Sequence, residues 1–157
     1  MNPRARYFLL PAATMVAVGA AWGASPSNSA RSDYIEFCGG CHGIGGKSAP
    51  ARVPQLQGRA GYFLCTPEGR EYLVRLPNVA RAPVQDDEAL ADLVNFVTFD
   101  LGGSSAPAGA RRFDAAEVGA LRQREYSRKS LVALRKTIVS EVIRDCPRTP
   151  ATFRTAF

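Results

Sequence analysis

The chain of 157 residues carries a formal charge of +6, with 20 lysines and arginines against 14 acidic residues. This length fits one compact domain with an appendage and excludes a large multidomain assembly. The arginines are scattered rather than clustered, which argues against nucleic acid as a partner, and a mildly basic surface can steer an acidic partner instead.

The first two dozen residues have the pattern of a secretory signal. A basic start, MNPRAR, precedes the apolar run YFLLPAATMVAVGAAWGA, which ends in small residues. An uncleaved anchor is the alternative, because a run of about 18 apolar residues can span a bilayer. We therefore predict a signal peptide over residues 1–24 and a periplasmic protein, with membrane contact only if this segment is retained.

The next residues predict a spacer followed by a short helix. Residues 25–31 are polar and rich in serine, which indicates a flexible spacer. Ser32 or Asp33 can cap a helix over SDYIEFCGGCHG. The glycines and prolines of GIGGKSAPARVPQLQG predict a loop. For GREYLVRLPNV we expect short helical turns or irregular segments, and for EYLVRL a strand is the alternative on its β-branched and aromatic content.

The clearest predicted helix begins after Asp86 or Asp87 and ends at the two glycines that follow Leu101. One apolar stripe along it consists of Leu90, Leu93, Val94, Val97 and Leu101. Residues 32–102 are therefore predicted to form one helical domain, and 103–112 a linker.

The last segment, 113–157, predicts a helical C-terminal extension, so that the whole protein is expected to be all-α. Asp114 and Glu117 have the spacing of a capping box. The apolar residues that recur at helical intervals are Leu131, Leu134, Ile138 and Val142, with Val132, Val139 and Ile143 widening the face. Arg135 interrupts that face.

The motif CGGCH, residues 38–42, allows three kinds of chemistry. A disulfide-exchanging pair would need a strand before the motif, and none is predicted there. Structural zinc needs four ligands. With His42 the sole histidine, only Cys65 and Cys146 remain as usual donors, and an exported protein is better served by joining these two in a disulfide. Covalent haem attachment is favoured, because Cys-x-x-Cys-His supplies two thiols and an iron-binding imidazole on one turn.

Three segments in a fixed order resemble the class I c-type cytochromes: YIEFCGGCHGIGG, then PQLQG, then DDEALADLVNFV. The resemblance covers roughly residues 30–101. It implies an all-α domain around one covalent haem c, with thioethers at Cys38 and Cys41 and with His42 as the proximal iron ligand. It also implies that the Pro54 carbonyl accepts a hydrogen bond from His42 and that Leu56 packs on the haem. The segment around Phe96 is expected to cross the first helix.

The sixth iron ligand departs from the family pattern. The loop RLPNVARAPVQ, where the family usually has a methionine, contains none, and the two methionines of the chain are Met1 and Met15. The iron is then five-coordinate, or it takes an unusual donor, or a residue of the extension reaches it. The conceivable donors are Lys47, Lys129, Lys136, Tyr62, Tyr72, Asn78 and the cysteines at 65 and 146.

These features predict a mono-haem c-type cytochrome that transfers single electrons between periplasmic redox partners. The expected partners are a dehydrogenase, which would donate electrons, or a terminal acceptor. The alternative is a haem-based module that binds or senses small ligands at an open distal site. A third is a structural subunit whose extension is an interface. An enzyme is not expected, because His42 is used by the iron and no other histidine can serve in acid–base catalysis.

Overall fold

The computed structural model describes residues 26–48 and 53–156, and all its regular elements in these ranges are helical. The all-α prediction is therefore confirmed, while the predicted signal peptide lies outside the described residues. The α-helices are α1 (Pro26–Phe37), α2 (Gly39–His42), α3 (Pro67–Arg75), α4 (Pro77–Ala80), α5 (Asp87–Asn95), α6 (Ala115–Arg122) and α7 (Leu131–Asp145). In the described ranges, no helix is both long enough and apolar enough to cross a membrane.

Shorter helical turns connect these elements. In the part of the chain that the structure describes, four are 3₁₀ turns, over Ala60–Cys65, Gly103–Ser105, Arg128–Ser130 and Ala151–Ala156, and one is a π-helical turn over Phe96–Leu101.

Helix α1 begins earlier than predicted. It begins at Pro26, so most of the residues predicted as a flexible spacer, 25–31, are helical, and neither Ser32 nor Asp33 is its N-cap. Ala30 and Tyr34, one turn apart, are both buried. This packing extends the helix backwards, and proline is well suited to a first helical turn because its φ angle is already helical.

The strand alternative for EYLVRL is wrong, because all of these residues except Leu76 lie in helix α3. The Oγ1 atom of Thr66 accepts a hydrogen bond from the backbone N–H of Gly69 at 3.0 Å, and Pro67 occupies the first helical position. A capping threonine followed by proline is a strong helix start. That local signal, together with the burial of Tyr72 on this helix, outweighs the β-branched content.

Helix α5 begins where the sequence predicted. The Oδ1 atom of Asp86 accepts a hydrogen bond from Ala89 N at 2.8 Å, and Leu90 is fully buried. The α-helix ends at Asn95, however, and continues to Leu101 as the π-helical turn. In that turn the fully buried Thr98 hydroxyl donates to the Val94 carbonyl at 2.8 Å. Such back-bonding by threonine often accompanies a distortion of the helix.

The extension packs into both apolar cores. The first core lies between α1, α5 and α6 and includes Phe113, Val118 and Leu121 of the extension. The second lies between the 3₁₀ turn 60–65, α3, α7 and the C-terminal turn, and includes Val142 and Phe153.

Helix α6 is held by one half of the predicted capping box. Asp114 accepts a hydrogen bond from Glu117 N at 2.8 Å. The Glu117 carboxylate does not return this bond and is instead held by Arg70, at 2.6 and 2.8 Å, and by Arg111, at 2.8 Å. The Arg70 guanidinium also lies 3.8 Å above the centre of the Phe113 ring. Arg70 therefore ties α3 to the extension.

Helix α7 buries Ile138, Val139 and Val142, but Val132 is 68% exposed, contrary to the predicted face. Val132 lies in the first turn, ahead of the part of the helix that is buried in the core. At the other end of α7, Cys146 forms a disulfide with Cys65, which lies 81 positions earlier in the sequence, and the two Cα atoms are 5.7 Å apart.

Candidate haem site

The CGGCH motif follows α1 directly, with Cys38 as the N-cap residue of the one-turn helix α2. The N–H of Cys38 donates to Tyr34 O at 2.9 Å, and the N–H of His42 donates to Cys38 O at 2.9 Å. Cys38 and Cys41 are both free thiols. The backbone therefore presents two thiols and one imidazole within a single turn.

The motif is tied to the PQLQG segment by backbone hydrogen bonds. The carbonyl of Gly46 accepts bonds from Leu56 N at 2.8 Å and from Gln57 N at 3.0 Å. Gly46 has a φ of +73°, and a Cβ atom there would lie 3.1 Å from Gln57 N. Position 46 therefore requires glycine, because its φ angle is positive and because the backbone of Gln57 lies too close for a side chain. This turn brings Pro54 beside His42.

The imidazole of His42 is oriented by Pro54. Its Nδ1 atom lies 2.9 Å from the Pro54 carbonyl oxygen. Because a carbonyl can only accept, Nδ1 carries the hydrogen, and in the neutral ring Nε2 is left with a free lone pair. Burial lowers the pKa of His42, and the positive charge of Arg135 lowers it further, although the bond to Pro54 acts in the other direction. A neutral imidazole with a free Nε2 is the form that binds a metal.

The Cys38 thiol is also kept neutral. Burial raises the pKa of the Cys38 thiol, and the neighbouring Cys41 raises it further. Among the described residues, no group of three or more histidine, cysteine or acidic side chains is arranged to hold a metal ion. Since Cys65 and Cys146 are joined to each other, the geometry does not favour structural zinc.

Tyr34 anchors the motif from within the first core. Its hydroxyl donates to the Gly43 carbonyl at 2.7 Å, and its ring lies 5.6 Å from that of Phe96, centre to centre. Burial raises the pKa of Tyr34 to about 12, so the phenol stays protonated. The expected crossing of the first helix by the Phe96 segment is thus present.

All five predicted haem-contacting residues line one cavity of about 290 Å³: Cys38, Cys41, His42, Pro54 and Leu56. Its other walls are mainly apolar and come from the 3₁₀ turn 60–65, helices α3, α4 and α5, the π-helical turn and the first part of α7. Two free thiols, an oriented neutral imidazole and apolar walls are the side chains that a covalently attached haem requires. The residues present therefore fit this group.

The segment predicted as the sixth-ligand loop contains the short helix α4. It lines the cavity with Leu76, Pro77, Asn78, Val79 and Ala82. Of the conceivable donors, Tyr72 and Asn78 reach the cavity, whereas Lys47, Lys129, Lys136 and Tyr62 are not among its lining residues. Cys65 and Cys146 are bonded to each other.

Sequence reasoning missed Arg135 as a residue of the site. It lines the cavity, and its Nε atom donates to the Tyr72 hydroxyl oxygen at 3.0 Å. Its signal in the sequence was the single charge on the apolar face of α7. A charge in such a position is held by a polar partner when buried, and here that partner belongs to a helix 63 residues earlier.

Comparison with known proteins points the same way as the geometry. The chain is 27% identical over 118 residues to cytochrome c-552 of Thermus thermophilus, covering 64% of this chain and 90% of that protein. A protein of the same name from a specific strain of that organism is also 27% identical, with 80% of its length covered. No family model matches the chain, and no solved structure matches it.

Both relatives are named as cytochromes and neither is named as an enzyme, in keeping with the non-enzymatic protein that the sequence predicts. The similarity and the helical fold together support a c-type cytochrome.

Proposed function

We propose that this protein is an exported mono-haem c-type cytochrome that transfers single electrons between periplasmic redox proteins. The observation that carries the proposal is the 2.9 Å bond from His42 Nδ1 to the Pro54 carbonyl, in the cavity that Cys38 and Cys41 also line. One haem c would be held there by thioethers at the two cysteines and by His42 as proximal ligand. When bound, it supplies an iron centre that accepts and releases one electron.

The protein's own residues tune such a centre in two ways. The Pro54 carbonyl fixes the orientation and tautomer of the imidazole and raises its basicity as an iron ligand. The sixth-ligand loop contains no methionine, and methionine ligation raises the reduction potential. We therefore expect a potential below that of a His/Met cytochrome.

The surface beside the motif suits a transient redox partner. Cys41 and Ile44 are exposed, with Ile44 at 65%. Removal of the signal peptide, which contains Arg4 and Arg6, lowers the formal charge of +6 by two. The basic excess that remains favours an acidic partner, such as a dehydrogenase that donates electrons or a protein that accepts them. Electron exchange with such a partner should slow as salt rises, because exposed charges are then screened.

A second function, binding of small ligands by haem, is supported by the same missing methionine and by the polar pair Tyr72 and Arg135 in the cavity. Absorption spectra of the ferrous protein with and without carbon monoxide separate the two functions. Rapid and complete conversion favours ligand binding, and an unchanged six-coordinate spectrum rules it out.

The main test is a pyridine haemochrome spectrum combined with the intact mass of protein purified from the periplasm. We expect one haem per chain and the mass of two thioether bonds, and we expect Cys38→Ser with Cys41→Ser to abolish both. Cys65→Ser with Cys146→Ser is the matched control and should retain the haem. Colourless protein, with Cys38 and Cys41 open to alkylation, would refute the proposal.

A further inference from the structure

Tyr72 and Arg135 place a polar pair in an otherwise mainly apolar cavity. Tyr72 lies on α3, immediately before the sixth-ligand loop, and is only 3% exposed. Its ring stacks on Phe63 with 5.3 Å between the ring centres. Arg135 reaches it from α7 and donates from Nε to the hydroxyl oxygen at 3.0 Å. Packing and a hydrogen bond thus hold both side chains in place.

The Tyr72 hydroxyl still has a hydrogen to donate. A phenol has one donor and can also accept, and the bond from Arg135 uses only the accepting function. Among the described residues, no acceptor takes the phenolic hydrogen. A buried hydroxyl with an unused donor is costly, and the cavity is the space in which an acceptor would sit.

Arg135 brings a positive charge that no carboxylate neutralises within the described part of the chain. Its remaining guanidinium N–H groups are free to donate, since arginine has five. Arg135 and His42 line the same cavity. A cationic donor beside a neutral donor is an arrangement that binds a small anion.

We propose that Tyr72 and Arg135 form a binding site for a small, hydrogen-bond-accepting anion on the sixth-ligand side of the haem. This proposal rests on the proposed function, since it requires a haem held by His42. The pair lies beside the segment in which class I c-type cytochromes usually have a methionine. The residues of that segment that line the cavity are Leu76, Pro77, Asn78, Val79 and Ala82, of which only Asn78 has a polar side chain. An anion there accepts from the Tyr72 hydroxyl and pairs with the Arg135 charge.

Fluoride is a suitable probe, because it is a small anion and a strong acceptor, and imidazole is the comparison ligand, because it is neutral. Fluoride is titrated into the ferric haem protein and followed by absorption. We expect Tyr72→Phe and Arg135→Gln each to weaken fluoride binding by on the order of tenfold to a hundredfold, as hydrogen bonds to charged groups do. Imidazole affinity should change much less. Lys136→Gln, an exposed neighbour on the same helix, is the matched control and should bind fluoride as the wild type does.

Three outcomes would overturn the proposal: no fluoride binding by the wild type, unchanged fluoride affinity in both variants, or a tyrosinate-to-iron absorption band lost in Tyr72→Phe. Unchanged fluoride affinity in Arg135→Gln is also the result expected if the Arg135 guanidinium pairs with a carboxylate of the haem. The last outcome would make Tyr72 itself the iron ligand. The pyridine haemochrome of each sample separates this test from the proposed function. If haem is present and the affinities are unchanged, only this inference fails, whereas a haem-free wild type refutes both.

Discussion

The region around the CGGCH motif and the C-terminal extension are organised by contacts of very different range. His42 meets Pro54 twelve residues away, and the thiols lie on the same turn as the imidazole. The extension instead reaches back over long distances: Arg70 meets Glu117 after 47 residues, and Tyr72 meets Arg135 after 63. The ligand chemistry is thus assembled locally, while the cover over the cavity depends on tertiary structure.

The largest expected effect comes from cutting the covalent link between these regions. Replacing Cys65 and Cys146 with serine opens the loop that the disulfide closes between positions 81 apart in the sequence. From loop entropy, the expected loss of unfolding free energy is about 4–5 kcal/mol. Urea denaturation of the double variant measures it. An unchanged midpoint would mean that non-covalent packing alone holds the extension in place.

Packing of the extension can be tested at Phe153, which is fully buried and lies 5.4 and 5.5 Å, centre to centre, from the rings of Tyr62 and Phe63. Phe153→Ala should cost about 3–5 kcal/mol by leaving a cavity. Leu90→Ala, in the first core, is the companion variant, with about 2–5 kcal/mol expected.

Haem absorbance and far-UV circular dichroism should report the same unfolding midpoint in both of these variants if the two regions unfold as one unit. Separate midpoints would make the extension an independent unit.

A smaller effect is expected at the ion pair between α3 and the extension. Hydrogen bonds from Arg70, with the charges of Arg70 and Arg111, lower the pKa of Glu117 against the opposing effect of burial. Its stabilising contribution is therefore complete above its ordinary pKa of 4.5 and is lost as the pH falls through the lower folded-state value. Glu117→Gln should cost about 1.5–3 kcal/mol at neutral pH. The difference in unfolding free energy between Glu117→Gln and the wild type should shrink as the pH falls. A constant difference down to pH 2 would show that the ionised Glu117 carboxylate is not its cause.

The smallest effect concerns a local feature of the haem side. Asp86→Ala removes the N-cap of α5, whose Oδ1 atom accepts from Ala89 N, and should cost about 1 kcal/mol. Asp86→Asn keeps an accepting oxygen and is the control. Thermal unfolding of the two variants measures the difference, which should vanish if the cap contributes nothing.

The sequence could predict features that depend on contacts of short range in the chain, but not features that depend on contacts of long range. Asp86 and Asp114 were identifiable as helix starts because capping depends on residues three positions apart. The CGGCH motif and the PQLQG segment were also recognisable, because each pattern consists of residues that are close together in the sequence. The early start of α1 at Pro26 was not predictable, because it depends on the burial of Ala30 and Tyr34 against later helices.

The extension shows the limit more clearly. Its apolar periodicity predicted helix α7 but not which turn is covered, and Val132 proved exposed. Glu117 has capping-box spacing, yet its carboxylate is taken by Arg70 from a helix that no local pattern could connect to it. Arg135 appeared as an interruption of an apolar face, and its role became visible only when α7 was placed beside Tyr72.

If the chain is exported as proposed, the positions of its four cysteines also bear on how it matures. A chain that crosses a membrane from its N-terminus presents Cys38, Cys41 and Cys65 before Cys146, which lies 81 residues beyond Cys65. Four cysteines allow three fully paired arrangements. All three would oxidise the motif thiols, and two of them would join these thiols to Cys65 and Cys146. Attachment of the haem while the C-terminal helix is still crossing would block all three of these arrangements and leave Cys65 a single partner, Cys146.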